Sequence, residues 1–159
     1  MATAKIPMTV SSYNLLQEEL KRLKTFDRQD VIQAIATARE YGDLSENAEY
    51  HAARERQGFI EGRIVELESK LSHAEIIDAS KLNGTTVKFG ATVTLIDEET
   101  NQESTYQIVG VDEASIEKGL LSLTSPLARA MIGKEQGNSI DVMTPSGHRF
   151  YEIARVEYK

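Results

Sequence analysis

The chain has no cysteine and no tryptophan, and only 6% of its 159 residues are aromatic. The missing thiols exclude a disulfide framework, a cysteine nucleophile and a zinc ribbon. No apolar run approaches the ~20 residues that a membrane-spanning helix requires, and the opening MATAKIPMTV lacks the apolar core of a secretory signal. Together these absences lead to the expectation of a cytoplasmic protein. Positive charge is also scarce: 18 Lys and Arg stand against 25 Asp and Glu, for a net charge of -7. The excess of acid is even, with 10 basic and 14 acidic residues in 1–79 and 8 and 11 in 80–159. Neutralising phosphates takes clustered Lys and Arg, so such a chain is a poor nucleic-acid binder by itself. If it acts on nucleic acid, another macromolecule must hold the substrate.

What is present divides into two halves of different period. Tyr13, Leu16, Leu20 and Leu23 are spaced 3-4-3, which places them on one helix face. The stripe resumes at Val31, Ile35 and Ala38. Eight residues separate Leu23 from Val31, so the heptad phase slips near residues 24–30; a stutter, or a break with Asp27 as a new N-cap, accounts for this. Tyr50, Ala53, Gln57, Ile60, Ile64, Leu67, Leu71 and Ala74 then alternate 3-4 over seven steps. Two long helices joined by a few residues are antiparallel neighbours. An arm of roughly 30 residues would be about 45 Å long at ~1.5 Å per residue. Ala38, Ala48, Ala52 and Ala53 favour close approach of the arms at the distal end.

Near residues 78–84 the period changes to two. Residues 91–97 and 104–109 flank a polar segment and predict a β-hairpin. Ser125-Pro126 opens a helix, with Ser125 as N-cap and Pro126 in the first turn, and Gly133 is placed to stop it. Residues 139–143 and 148–156 alternate around the turn Thr144-Pro145-Ser146-Gly147. The expected architecture is an N-terminal antiparallel coiled-coil hairpin, residues 1–79, followed by a small α+β domain with a mainly antiparallel sheet, residues 80–159.

Between the helical runs lies YGDLSENAEYH, residues 41–51, with three carboxylates, a glycine and a histidine. Asp43 and Glu46 have capping-box spacing, and Gly42 suits a left-handed helix end. Capping leaves Glu49, Tyr50 and His51 unexplained. Magnesium is usually held by one or two carboxylates plus substrate phosphates, so two tip acids also suit a site completed by another molecule. For His51 the choice lies between a proton shuttle and packing or surface placement, with the second favoured.

The run from Ala38 to Glu55, with Gln57-Gly58-Phe59-Ile60-Glu61-Gly62-Arg63-Ile64, closely resembles the bacterial Gre transcript cleavage factors, the GreA type more than GreB. The resemblance extends to Ile6-Pro7-Met8-Thr9, Phe89-Gly90-Ala91-Thr92-Val93, Ser125-Pro126-Leu127-Ala128-Arg129, Ile132-Gly133-Lys134-Glu135 and Val156-Glu157-Tyr158. It implies an FKBP-like C-terminal domain that docks on the rim of bacterial RNA polymerase, and a coiled coil that enters the secondary channel. It implies further that Asp43 and Glu46 are the catalytic acids, sharing a Mg²⁺ site with the polymerase and promoting hydrolysis of backtracked nascent RNA. Asn47 and Tyr50 become tip-support residues, with core packing at least as good a reading of Tyr50. Arg39, Arg54, Arg56 and Arg63 become contacts to RNA or polymerase, or else a solvated helix face. Ser125 and Pro126 fall on the docking surface. Ser45 departs from the pattern, taking a position often held by lysine. Nothing demands more than a monomer, and the protein is expected not to be an enzyme by itself.

Three rivals remain. One is a Gre-like inhibitor that enters the channel without promoting cleavage, although such relatives rearrange the acidic tip. Another is a passive coiled-coil adaptor whose tip acids only cap. The third is a prolyl isomerase, disfavoured because so few aromatics are available to line a proline pocket.

Overall fold

A computed structural model describes residues 4–159; the first three residues of the segment expected to form the hairpin domain lie outside it. The chain forms two compact units, one built on Tyr13–Ala74 and the other on Lys5–Ser12 with Glu75–Lys159. This division differs from a cut at residue 79, because the N-terminal strand packs with the C-terminal half.

In the first unit, one arm runs through α1 (Val10–Arg22), a π-helical turn (Leu23–Asp27) and α2 (Arg28–Arg39). The return arm is α3 (Ala48–Ser72). Leu16, Leu23, Val31 and Ala38 of the first arm are buried, as are Ala53, Ile60, Ile64 and Leu67 of the second. The phase slip is absorbed by the π turn, across which the Arg28 amide donates to the Leu23 carbonyl. Asp27 does not cap: its backbone is right-handed helical and its side chain bonds no backbone amide. The arm is therefore continuous, and one extra residue is taken up by widening a single turn.

Charge pairs cross between the arms outside the apolar seam: Lys24 with Glu68 at 3.0 Å, Arg28 with Glu61 at 2.9 Å and Arg63 with Glu19 at 2.7 Å. Lys24–Glu68 is exposed and the other two pairs are half-buried; solvent-accessible pairs contribute roughly 1 kcal/mol or less each, so the buried seam carries most of the stability and the charges favour the register. The predicted seam runs one turn too far. After Ser72, His73 closes the helix and its ring Nδ1–H donates to the Ser69 carbonyl at 2.7 Å, so Ala74 begins a strand instead.

In the second unit, β1 (Ile6–Thr9) pairs with β2 (Ala74–Ile77), neither of which the periodicity had signalled. Thr9 ends β1, its Oγ accepting the Ser12 amide at 3.1 Å while its hydroxyl donates to Glu113. The main sheet contains β3 (Thr92–Asp97), β4 (Glu103–Val109), β5 (Leu120–Ser122), β6 (Ser139–Thr144) and β7 (Gly147–Glu157), in the order β5-β4-β3-β7-β6. The expected β3–β4 hairpin forms antiparallel, with Val93 opposite Tyr106. Its turn is held by buried Asp97, which accepts the Glu99 amide at 2.8 Å and pairs with Arg149 at 3.2 Å. The second hairpin closes with Thr144 opposite Gly147. Within this sheet β5 runs parallel to its neighbour β4, and the other pairs are antiparallel. The core joins Val93, Leu95, Ile108, Ile140, Val142 and Ile153 of the sheet to Ala128 and Met131 of α4 (Pro126–Met131).

Candidate functional site

The residues that connect α2 to α3 gather the tip chemistry. Past Arg39 the Tyr41 amide returns to the Ala38 carbonyl at 3.1 Å, and Gly42 takes φ +104 to turn the chain away. That backbone is strained for any residue with a Cβ, which accounts for glycine here.

Asp43 and Glu46 do not form the anticipated capping box. The N-cap of α3 is Asn47, whose Oδ1 accepts the Tyr50 amide at 3.0 Å. Its Nδ2 donates to the Ala38 carbonyl at 2.6 Å, tying the end of one arm to the start of the other. An aspartate caps as well as an asparagine, but it has no donor for that second bond. Asparagine therefore suits position 47 and leaves both tip carboxylates out of the cap.

Asp43 bonds within its own turn. Its Oδ1 accepts the Ser45 hydroxyl at 2.8 Å and the Ser45 amide at 2.9 Å. These two bonds, the hydroxyl's first, hold the Asp43 carboxyl below its ordinary range, so the group is ionised at neutral pH. The loop is anchored from α3 by the His51 ring, whose Nε2 lies 3.1 Å from the Ser45 carbonyl. Because a carbonyl only accepts, His51 carries its proton on Nε2 in this arrangement. The packing role foreseen for His51 is thus more specific than surface placement. Glu46 is exposed and makes no hydrogen bond or ion pair among the described residues. Tyr41, Asp43, Glu46, Asn47, Ala48 and Glu49 line one open depression.

Of the proposed supporting residues, Asn47 holds the tip from beneath. Tyr50 is half-buried with its ring edge-on to His51, at 5.7 Å between centroids. Arg39 and Arg54 line one shallow groove with Ile32, Ile35, Ala36 and Gln57, whereas Arg56 stands exposed elsewhere on α3. Arg63 differs from these, since its guanidinium grips Glu19 through two bonds of 2.7 and 2.9 Å and Glu66 through a third. It is committed to joining the arms. In the second unit, the Ser125 Oγ accepts the Ala128 amide at 3.2 Å and its hydroxyl donates to the Ser122 carbonyl, with Pro126 exposed beside it. Sequence reasoning missed Ser45 as a partner of Asp43. Its signal was present as the Asp-x-Ser spacing, which commonly closes a local turn.

The two carboxylates are hard oxygen donors that suit Mg²⁺. No group of three or more His, Cys, Asp or Glu able to hold a metal occurs among the described residues. Two acids fit part of a magnesium shell, with the remaining ligands left to water or another molecule.

A helical hairpin with an acidic turn at its end, followed in sequence by a small α+β unit, defines a two-part factor. Two family profiles match it: "Transcription elongation factor, N-terminal" over residues 6–76 and "Transcription elongation factor, GreA/GreB, C-term" over residues 82–158. The chain belongs to the GreA/GreB family of transcription elongation factors. It is 64% identical to the transcription elongation factor GreA of Cereibacter sphaeroides and 61% identical to that of a Caulobacter species, in each case over 97% of this chain and 98% of the relative. Among solved structures, the GreA factor homolog 1 (Gfh1) of Thermus thermophilus is 25% identical, covering 96% of this chain and 99% of its own, with a TM-score of 0.44. A role in transcription elongation follows from the family. Among the described residues, no helix is long and apolar enough to cross a membrane.

Proposed function

We propose that this protein acts in the cytoplasm as a monomer that binds bacterial RNA polymerase, inserts its hairpin into the secondary channel and promotes hydrolytic cleavage of the 3′ end of backtracked RNA. The globular unit would dock on the channel rim through the surface that carries Ser125 and Pro126. The reading rests on one observation above others: the tip carboxylates retain bonding capacity. Asp43 uses Oδ1 within its turn, and among the described residues Oδ2 has no partner and Glu46 is unengaged.

Asp43 and Glu46 would hold a Mg²⁺ ion jointly with groups of the polymerase, the ion supplying charge neutralisation and an acidified water. Asn47 fixes the turn that carries both acids, so less order has to be gained on binding. Arg39, Arg54 and Arg56 remain available for RNA or polymerase, whereas Arg63 braces the arm. The protein would not be a nuclease alone, because it brings only two ligands and its few scattered arginines hold RNA poorly without the polymerase. This division of labour accommodates the net charge of -7.

The test is a stalled, backtracked elongation complex given Mg²⁺ and purified protein. The wild type should release 3′ RNA fragments. Asp43→Asn and Glu46→Gln should compete for polymerase as the wild type does, yet cleave poorly. Full cleavage by both variants would sink the assignment, as would RNA hydrolysis by the protein without polymerase.

A further inference from the structure

We infer that Ser45 is a positioning residue for the tip: its hydroxyl and amide clamp one oxygen of Asp43 and so hold the other oxygen in a single orientation for the shared metal. The inference rests on the proposed tip chemistry and assigns part of it to a residue outside the acids. Two donors from one residue converge on Oδ1, at 2.8 Å from the hydroxyl and 2.9 Å from the amide. Among the described residues, no group bonds Oδ2. An exposed aspartate on a turn ordinarily samples several staggered χ1 rotamers, and each rotamer moves the carboxylate by ångströms. Two simultaneous bonds to one oxygen select one of them. The clamp has its own anchor, since the His51 ring holds the Ser45 carbonyl at 3.1 Å from the first turns of α3. The order of dependence runs from α3 through His51 to Ser45, and from Ser45 to the acid that meets the ion. Ser45 touches neither metal nor RNA in this scheme; it acts through Asp43.

Ser45 is exposed, so its replacement leaves the fold intact. Ser45→Ala removes the hydroxyl and keeps the amide, and Ser45→Thr keeps both donors. Three-bond couplings about χ1 of Asp43, measured by NMR on the free protein, should report one rotamer in the wild type and in Ser45→Thr, and averaging in Ser45→Ala. In backtracked complexes, Ser45→Ala should raise the Mg²⁺ concentration for half-maximal cleavage by about threefold to tenfold, the net worth of one ordinary hydrogen bond at an exposed site. Affinity for polymerase should not change, and Ser45→Thr should restore the midpoint. Averaged couplings in the wild type, or equal magnesium midpoints for wild type and Ser45→Ala, would overturn the inference. If the wild type promotes no cleavage, the reading of the tip fails, and the couplings still decide whether Ser45 fixes Asp43.

Discussion

Asn47 offers the sharpest test of how the tip is built, because its two bonds can be removed separately. Asn47→Ala deletes the N-cap of α3, worth about 1 kcal/mol, and the bond to the Ala38 carbonyl, worth about 0.5–1.5 kcal/mol. The Ala38 carbonyl also accepts the Tyr41 amide, so it is not orphaned and the second loss belongs at the low end of that range. The expected destabilisation is therefore roughly 1.5–2 kcal/mol. Asn47→Ser keeps a capping oxygen but cannot reach across to Ala38, so it should lose only the smaller part. Asn47→Asp also keeps the cap, yet it faces the Ala38 carbonyl, now 2.6 Å from Nδ2, with an acceptor where a donor stood. It should fall between Ser and Ala in stability. Urea unfolding followed by helical circular dichroism reads these differences. If Asn47→Ala lies within about 0.5 kcal/mol of wild type, the size of an ordinary surface substitution, the staple is not a structural element and the argument fails. If Ser and Ala are equally destabilised, the cap contributes nothing and the loss comes from the crossing bond.

Leu67 is fully buried at the seam of α3, so Leu67→Ala should cost about 2–5 kcal/mol in denaturant unfolding; a loss below that range would mean the arms separate freely there. The Glu19 carboxyl is held below its ordinary value of 4.5 chiefly by the hydrogen bond from Arg63. Because its folded-state pKa is the lower one, the pair stabilises the hairpin above pH ~4.5 and that contribution disappears as pH falls through the folded value. Glu19→Gln should flatten this part of the acid-unfolding profile without changing its shape above pH 6, and an unaltered acid limb would show that the bond does not persist in solution.

Elements whose signal lies in long repeats were legible in the sequence; those set by single contacts were not. The 3-4 alternation from Tyr50 to Leu71 located α3 because burial along a helix repeats with its turn, and a six-step pattern averages out local exceptions. The alternation of Thr92–Asp97 and the Ser125-Pro126 start were similarly explicit. Strands β1 and β5 contain four and three residues, too short for a period of two to stand out. Strand β2 was hidden because Ala74 continues the helical spacing, although His73 has already turned its ring back onto the Ser69 carbonyl. At the tip, the acids were visible as composition, but the choice between Asp43 and Asn47 as N-cap was not. Both residue types cap well. The decision came from the Ala38 carbonyl, nine residues away, which takes a second donor that the asparagine amide supplies and an aspartate lacks. Arg63 was misjudged for a related reason: its bidentate partner Glu19 lies 44 residues earlier, and no local spacing announces it.

The π turn shows how an apparent defect in the repeat became a structural necessity. In a regular α-helix eight residues turn the chain about 80° past two full turns, whereas seven fall only about 20° short. With an unbroken α-helix, burying Leu16 and Leu23 would swing Val31 and Ala38 away from the partner arm. Both are nonetheless almost fully buried. The widened turn at Leu23–Asp27 absorbs the extra residue and restores the phase. Deleting exposed Thr25 should therefore convert the eight-residue step to seven, replace the π turn by α-helix and leave all four contacts on the seam. Deleting Gln33, equally exposed but within α2, should instead rotate Ala38 and the tip out of register by about 100°. Thermal unfolding should place the Thr25 deletion near wild type or above it, and the Gln33 deletion well below. The reverse order would mean that the π turn is fixed by its own side chains, such as Lys24 paired with Glu68, and not by the phase of the seam it joins.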